Sequence, residues 1–147
     1  MADRDGRADR RIEAVVRSSL DRDDQWHIRA LARYEVTVAD GRATLTGHVR
    51  QRQTAAAMVG LARRVDGVSS VDDRLVADDE LVTAVASAIG RRPVNQASRL
   101  VVRAEFGHVR VGGVYPSDDA RAEALRVGAA VPGVVAVTSA RMTDLIT

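Results

Sequence analysis

Residues 36–49, VTVADGRATLTGHV, decide the fold of this chain, because they return in altered form as residues 102–115, VRAEFGHVRVGGVY. A valine-rich segment built around a further glycine follows each stretch, at residues 65–71 and 131–137. Three glycines keep a spacing of 66 positions between the copies: Gly41, Gly47 and Gly67 recur as Gly107, Gly113 and Gly133. A repeat whose glycines keep their register indicates a duplicated structural unit, so the chain is predicted to contain two copies of one fold.

The first stretch has the pattern of two antiparallel strands. Valine, alanine and leucine alternate with threonine on both sides of Asp40 and Gly41, which is typical of strands with one buried face. The Asp-Gly pair suits a two-residue type I′ turn, since both central residues of that turn take a positive φ. We therefore predict a tight hairpin here and a second one that turns at Phe106 and Gly107.

Helical periodicity flanks each predicted hairpin. Apolar residues recur at intervals of three and four within residues 12–20 and again within residues 54–65, as on one face of a helix. The second of these helices should end at Gly67, because glycine readily takes a left-handed conformation, and a third strand follows. The same elements recur after residue 80, so the predicted order in each copy is helix, strand, strand, helix, strand.

The N-terminal residues lack this periodicity. Residues 1–10 alternate acids, arginines and small residues, so we expect a flexible tail there, either disordered or loosely helical. The predicted domains are then residues 11–77 and residues 78–147, with Asp78 and Asp79 as the only seam between the copies.

The repeated pattern resembles the BON domain, the bacterial OsmY and nodulation family. That family combines a first helix, an apolar strand, Asp-Gly, a strand of the form Val-x-Leu-x-Gly-x-Val, a helix, and Val-x-Gly-Val-x-x-Val. The second copy departs from the pattern at Phe106, Gly112 and Glu123. The first copy matches it at twelve positions: Val36, Val38, Asp40, Gly41, Ala43, Leu45, Gly47, Val49, Val65, Gly67, Val68 and Val71.

The resemblance implies an α+β fold of two tandem αββαβ domains, each with two helices on one face of a three-stranded sheet. It also implies a non-enzymatic binding or scaffolding protein that contacts an anionic phospholipid or envelope surface, or a protein partner, in the response to osmotic stress. Two alternatives stay open. One is a self-assembling module, a homo-oligomer without lipid binding, and the other is a small-ion sensor of osmotic conditions.

The composition argues against several other classes of function. All 22 basic residues are arginines, but 14 of them accompany 12 acids in residues 1–76, and 8 accompany 8 acids afterwards. Neither copy therefore has the concentrated positive charge of a nucleic-acid binder. The chain has no cysteine, which excludes disulfides and cysteine zinc sites. Without a signal peptide or an apolar run of membrane-spanning length, it is expected to be cytoplasmic as written, whereas the resemblance would favour the periplasm or cell envelope if a leader had been removed.

No catalytic, cofactor or metal site is predicted. His27, His48 and His108 do not correspond between the copies, and none has an acid at helical ligand spacing. The repeated glycines are interpreted as structural. We expect turns at Gly41 and Gly107, helix ends at Gly67 and Gly133, and the approach of a helix or a bend in the strand at Gly47 and Gly113.

The sheet face turned away from the helices is the best candidate for binding. In the second copy, Arg103 and Arg110 should lie on adjacent strands of this face together with Glu105 and His108. Two interpretations stay open: a solvated polar face, or a face whose arginines meet anionic headgroups. Val101 and Val114 beside them suggest that the face packs against the other copy or another subunit. Trp26 is a further candidate, either as a lid on the core or as an exposed interface anchor.

Overall fold

The computed structural model describes residues 2–146, and the chain divides into two compact units that meet in the sequence at Ala77 and Asp78. The first unit contains α1 (Ala2–Asp21), α2 (Ile28–Leu31), β1 (Ala32–Ala39), β2 (Arg42–Val49), α3 (Arg52–Arg63) and β3 (Ser70–Ala77). The second contains α4 (Asp78–Gly90), a 3₁₀ turn (Pro93–Asn95), β4 (Arg99–Glu105), β5 (His108–Val114), α5 (Asp118–Ala129), β6 (Ala136–Ser139) and α6 (Met142–Leu145).

Each unit is built on a three-stranded sheet with the hairpin's second strand in the centre. In the first unit β1 pairs antiparallel with β2, and β3 pairs parallel with β2, so α3 forms the crossover between the two parallel strands. In the second unit β4, β5 and β6 repeat this arrangement. The predicted α+β fold with two tandem αββαβ units is confirmed.

The core of each unit lies between the sheet and two helices on one of its faces. In the first unit α1 packs on β1 and α3 packs on β3, and in the second α4 packs on β4 and α5 packs on β6. Alternate strand residues point into these layers, which explains the period of two in the sequence. Fully buried side chains of the first unit include Val16, Leu20, Val36, Leu45 and Met58, and those of the second include Val85, Ile89, Val109, Val111 and Ala124.

Both hairpins turn through two residues of positive φ. Asp40 and Gly41 have φ angles of 52° and 78°, and Phe106 and Gly107 have φ angles of 48° and 83°. This agrees with the predicted type I′ geometry. It also places a bulky aromatic residue, Phe106, in a left-handed conformation that costs about 1–3 kcal/mol, so the turn needs support from the rest of the unit.

Of the two forms predicted for the N-terminal tail, the structure has the helical one. Helix α1 begins at Ala2 and runs without a break to Asp21, so it includes all the described residues of that segment; Met1 lies outside them. The reason is tertiary, because Asp9 on this helix accepts hydrogen bonds from the backbone of the first hairpin turn. Asp78, at the predicted seam, begins α4 and is 2% exposed.

The C-terminal segment crosses the second sheet on the face opposite α4 and α5. Helix α6 contacts β4 and β5, and Leu145 is 4% exposed. Gly112 makes room for this segment, because a Cβ at that position would lie 2.5 Å from the Ala140 carbonyl oxygen and 2.8 Å from Leu145 Cδ1. The face therefore packs against its own chain, whereas the sequence suggested the other copy or another subunit.

Within residues 2–146, no helix combines the length and the apolar character needed to cross a bilayer.

Candidate functional site

Two equivalent carboxylates hold the two hairpin turns. Asp78 accepts hydrogen bonds from the backbone N–H groups of Phe106 at 2.7 Å and Gly107 at 3.0 Å. In the first unit Asp9 accepts from Asp40 N–H at 3.1 Å and from Gly41 N–H at 3.4 Å. Each acid thus ties the first helix of its unit to the left-handed turn and satisfies two backbone donors that face away from the ladder.

Sequence reasoning missed these acids, although a signal was present. The spacing of 69 positions that aligns the apolar residues of α1 and α4 also aligns Asp9 with Asp78. The first was placed in a predicted tail and the second at the predicted seam between the copies. Both residues instead stabilise the hairpin turns that connect the first two strands of each unit.

The repeated mid-strand glycines are required by the neighbouring strand. Gly47 has a φ of 121°, and a Cβ there would lie 2.1 Å from the carbonyl oxygen of Arg33 on β1. Gly113 has a φ of 138° and the same relation to Arg99 on β4. The close approach is therefore made by a strand, and not by a helix. The remaining repeated glycines, Gly41, Gly67, Gly107 and Gly133, also have positive φ and lie in the hairpin turns and after α3 and α5.

We use the term outer face for the surface of the second sheet that points away from α4 and α5. Arg103 and Arg110 lie directly opposite each other on it, in register between β4 and β5. Their roles differ. Arg103 Nε donates to the Leu145 carbonyl oxygen at 3.2 Å, so this side chain fastens the C-terminal segment. Arg110 is exposed, and no side-chain partner for it lies within residues 2–146.

Exposed apolar side chains accompany the arginines of the outer face. Val114, two residues beyond Gly112 on the same side of β5, is 67% exposed. Met142 and Ile146, at the two ends of the segment that covers Gly112, are 39% and 65% exposed. Leu145 is thus buried, while Met142 and Ile146 are exposed to solvent.

Trp26 is half-buried and packs against the core of the first unit. Its backbone N–H donates to Asp23 Oδ2 at 2.7 Å, which orders the loop between α1 and α2. The structure thus places this residue over the core, the first of the two positions considered for it.

Tyr34 forms the most perturbed titratable site of the first unit. Burial, followed by the hydrogen bond that its hydroxyl donates to Asp21 Oδ1 at 2.6 Å, raises the pKa of Tyr34 well above its usual range. Beside this pair lies a cavity of about 320 Å³ that is also lined by Arg17, Arg29 and Arg33. The pair ties β1 to α1, which gives it a structural explanation.

The three histidines are not brought together. His27 precedes α2 with a φ of 54°, His48 lies on β2, and His108 begins β5. Over the described part of the chain, no three acidic or histidine side chains are arranged as they would be around a metal ion.

The family model of the BON domain matches residues 8–77 and again residues 77–142. The resemblance found in the sequence is thereby confirmed for both copies, and the first match includes Asp9. No curated protein matches the sequence significantly.

Two solved structures of CdsD, a structural protein of the type III secretion system of Chlamydia trachomatis, share the fold. One is 13% identical with a TM-score of 0.70 and covers 90% of this chain and 62% of its own. The other, a C-terminal domain, is 16% identical with a TM-score of 0.57 and covers 80% of this chain and 61% of its own. This chain thus spans about three fifths of the length of those chains. At such identities the likeness concerns the fold alone.

Proposed function

Since the chain belongs to the BON domain family, with one domain in each unit, we propose that it is a non-enzymatic interaction module whose outer face contacts an anionic phospholipid or envelope surface. The observation that carries this proposal is the pairing of exposed apolar side chains with unpaired positive charge on one face. Val114, Met142 and Ile146 offer apolar area, and Arg110, four residues before Val114 on the same face of β5, offers a guanidinium group.

This combination suits a lipid leaflet, in which apolar acyl chains lie below negatively charged headgroups. Apolar side chains enter the boundary between headgroups and acyl chains, while arginines stay at the level of the phosphates. Each juxtamembrane arginine contributes about 1 kcal/mol of attraction to an anionic leaflet. The face has few such groups, so binding should be reversible and sensitive to salt.

The solved neighbours support an interaction role in a coarser sense. CdsD is described as a structural protein of a secretion system. A structural protein binds its partners through exposed surfaces, and the outer face of the second unit offers one. A part in the osmotic stress response is a further element of the proposal, which growth of a deletion strain at high osmolarity would test.

Co-sedimentation with vesicles tests the proposed function. The whole chain should sediment with vesicles that contain phosphatidylglycerol and stay in solution with phosphatidylcholine alone. Arg110→Glu combined with Ile146→Asn should abolish sedimentation. Arg91→Glu is the matched control, because Arg91 is an exposed arginine that follows α4, away from the outer face.

The opposite outcomes are equally clear. Equal sedimentation with phosphatidylglycerol and phosphatidylcholine vesicles would contradict the proposal. So would a loss of sedimentation in Arg91→Glu as large as the loss in the outer-face variant. Absence of sedimentation at low salt would exclude lipid binding by the outer face. The face would then bind a protein partner or a second copy of the chain, and light scattering would detect the second case.

A further inference from the structure

A second feature lies outside the outer face. A cavity of about 320 Å³ in the second domain is lined by Gly113, Tyr115, Arg121, Ser139, Ala140 and Arg141. Arg121 belongs to α5 and Ser139 ends β6, so the cavity lies beside the helix that packs on this sheet edge. Both charged groups in its lining are arginines, and no carboxylate lines it.

The Tyr115 hydroxyl is a buried donor in this lining. Its oxygen is shielded from solvent, and no group within residues 2–146 forms a hydrogen bond with it. Burial raises the pKa of Tyr115, against the opposing effect of the Arg121 charge, so the phenol is protonated at neutral pH. A buried polar atom without a protein partner indicates a position for a water or a ligand atom.

The other polar groups of the cavity are donors as well. Arg121 Nη2 donates to Ser139 Oγ at 3.1 Å, which orients the serine and leaves its hydroxyl hydrogen available. Arg141 is exposed at the cavity rim. Neither arginine has a carboxylate partner within the described part of the chain, so two positive charges converge there without compensation.

The equivalent place in the first domain is neutralised. Ser139 corresponds to Asp73 by the spacing of 66 positions, and Asp73 accepts from Arg52 at 3.4 Å. By the same spacing Tyr115 corresponds to Val49, which is fully buried. The second domain has therefore exchanged an acid for a hydroxyl and an apolar residue for a phenol at this position.

We propose that this cavity binds a phosphate group, either as inorganic phosphate or as part of a small phosphomonoester. The lining residues supply two guanidinium groups and two hydroxyls as donors, and a tetrahedral oxyanion has acceptors to match them. The cavity is larger than the anion alone needs, which leaves room for a short organic group. The same chemistry is found in a soluble phosphomonoester and in the headgroup of phosphatidic acid.

Nuclear magnetic resonance of the whole chain, titrated with inorganic phosphate at constant ionic strength, tests this proposal. Amide signals of residues 113–115, 121 and 139–141 should shift and saturate, and chloride should not reproduce the effect. Arg121→Gln and Arg141→Gln should each weaken binding about tenfold or more, as expected for a hydrogen bond to a charged group. Tyr115→Phe should weaken it several-fold while the fold is kept, because the variant loses only a hydroxyl.

Controls separate this site from the outer face and identify the source of the phosphate. Arg91→Gln and Arg110→Glu should leave the phosphate titration unchanged, so failure of the lipid proposal does not affect this one. The vesicle tests use the chain with Arg110→Glu and Ile146→Asn, in which binding through the outer face is removed. In that background, saturation by glycerol phosphate without binding to phosphatidic acid vesicles supports a soluble ligand, and vesicle binding that phosphate displaces and a further Arg121→Gln abolishes supports a headgroup. Absence of saturation at tens of millimolar phosphate would overturn the site. So would a phosphate affinity of the Arg121→Gln and Arg141→Gln variants equal to that of the wild type.

Discussion

Replacement of Asp78 by alanine should destabilise the second domain more than the equivalent substitution, Asp9→Ala, destabilises the first. The carboxylate is 2% exposed and accepts from Phe106 N–H at 2.7 Å and Gly107 N–H at 3.0 Å. A hydrogen bond to a charged group contributes about 1.5–3 kcal/mol, and water can reach the half-buried Phe106 in the variant. We therefore expect a loss of about 3 kcal/mol in the free energy of unfolding, since one donor stays buried without a partner.

The matched comparison is Asp9→Ala in the first domain. Asp9 is half-buried and its bonds to Asp40 and Gly41 are longer, at 3.1 and 3.4 Å, so this variant should cost only about 1 kcal/mol. Asp79→Ala, an exposed neighbour at the same helix start, should also cost about 1 kcal/mol or less.

Urea unfolding followed by circular dichroism measures these losses, and hydrogen exchange locates them. In the Asp78→Ala variant the amides of Phe106 and Gly107 should exchange much faster, because both lose their acceptor. Equal costs for Asp78→Ala and Asp9→Ala, or unchanged exchange at the two turn amides, would refute the role assigned to the acid.

Three further substitutions have defined outcomes. Gly47→Ala should lower the stability of the first domain by about 2–4 kcal/mol in urea unfolding, because the methyl group would lie 2.1 Å from the Arg33 carbonyl oxygen at a φ of 121°; a neutral effect would contradict the strand contact. Gly112→Ala should release the C-terminal segment, seen as faster exchange of the Ala140 amide that donates to Val111 O at 2.9 Å; unchanged exchange and protease resistance would show that the segment does not need this glycine. Tyr34→Phe should remove part of the loss of stability at high pH. The raised pKa of Tyr34 means that the native protein holds the neutral phenol, so its contribution is present below the usual value of 10.0 and is lost as the pH rises further; identical alkaline slopes for the variant and the wild type would contradict this assignment.

The repeat and the hairpins were predictable because local chemistry determines them. Apolar residues that alternate with threonine on both sides of Asp40 and Gly41 specify a buried face and a turn, and both are properties of neighbouring residues. Phe106 shows that the turn geometry persists where the local preference is weaker, since Asp78 supports it from another helix. That support depends on a contact 28 residues away, which no local pattern reveals.

The missed features share this dependence on distant contacts. Helix α6 has only four residues, too few for a helical period, and Leu145 is buried because Gly112 on β5 leaves space for it. The phosphate cavity likewise combines α5, the end of β6 and the residue after β5. The sequence marked Gly112 as a departure from the family pattern and Arg103 as a candidate contact on the sheet face. The C-terminal segment that both residues contact could be identified only from the positions of the sheet and the chain end together.

The most direct test of the proposed interaction surface is to titrate the whole chain with nanodiscs of phosphatidylglycerol and to follow each amide signal. The outer face should respond most, so at low salt the signals of residues 108–114 and 142–146 should broaden more than those of α4 and α5 in the same unit, and this difference should disappear at high salt. Equal broadening of these two sets of signals, or no broadening with anionic nanodiscs, would contradict a role for this face in surface binding.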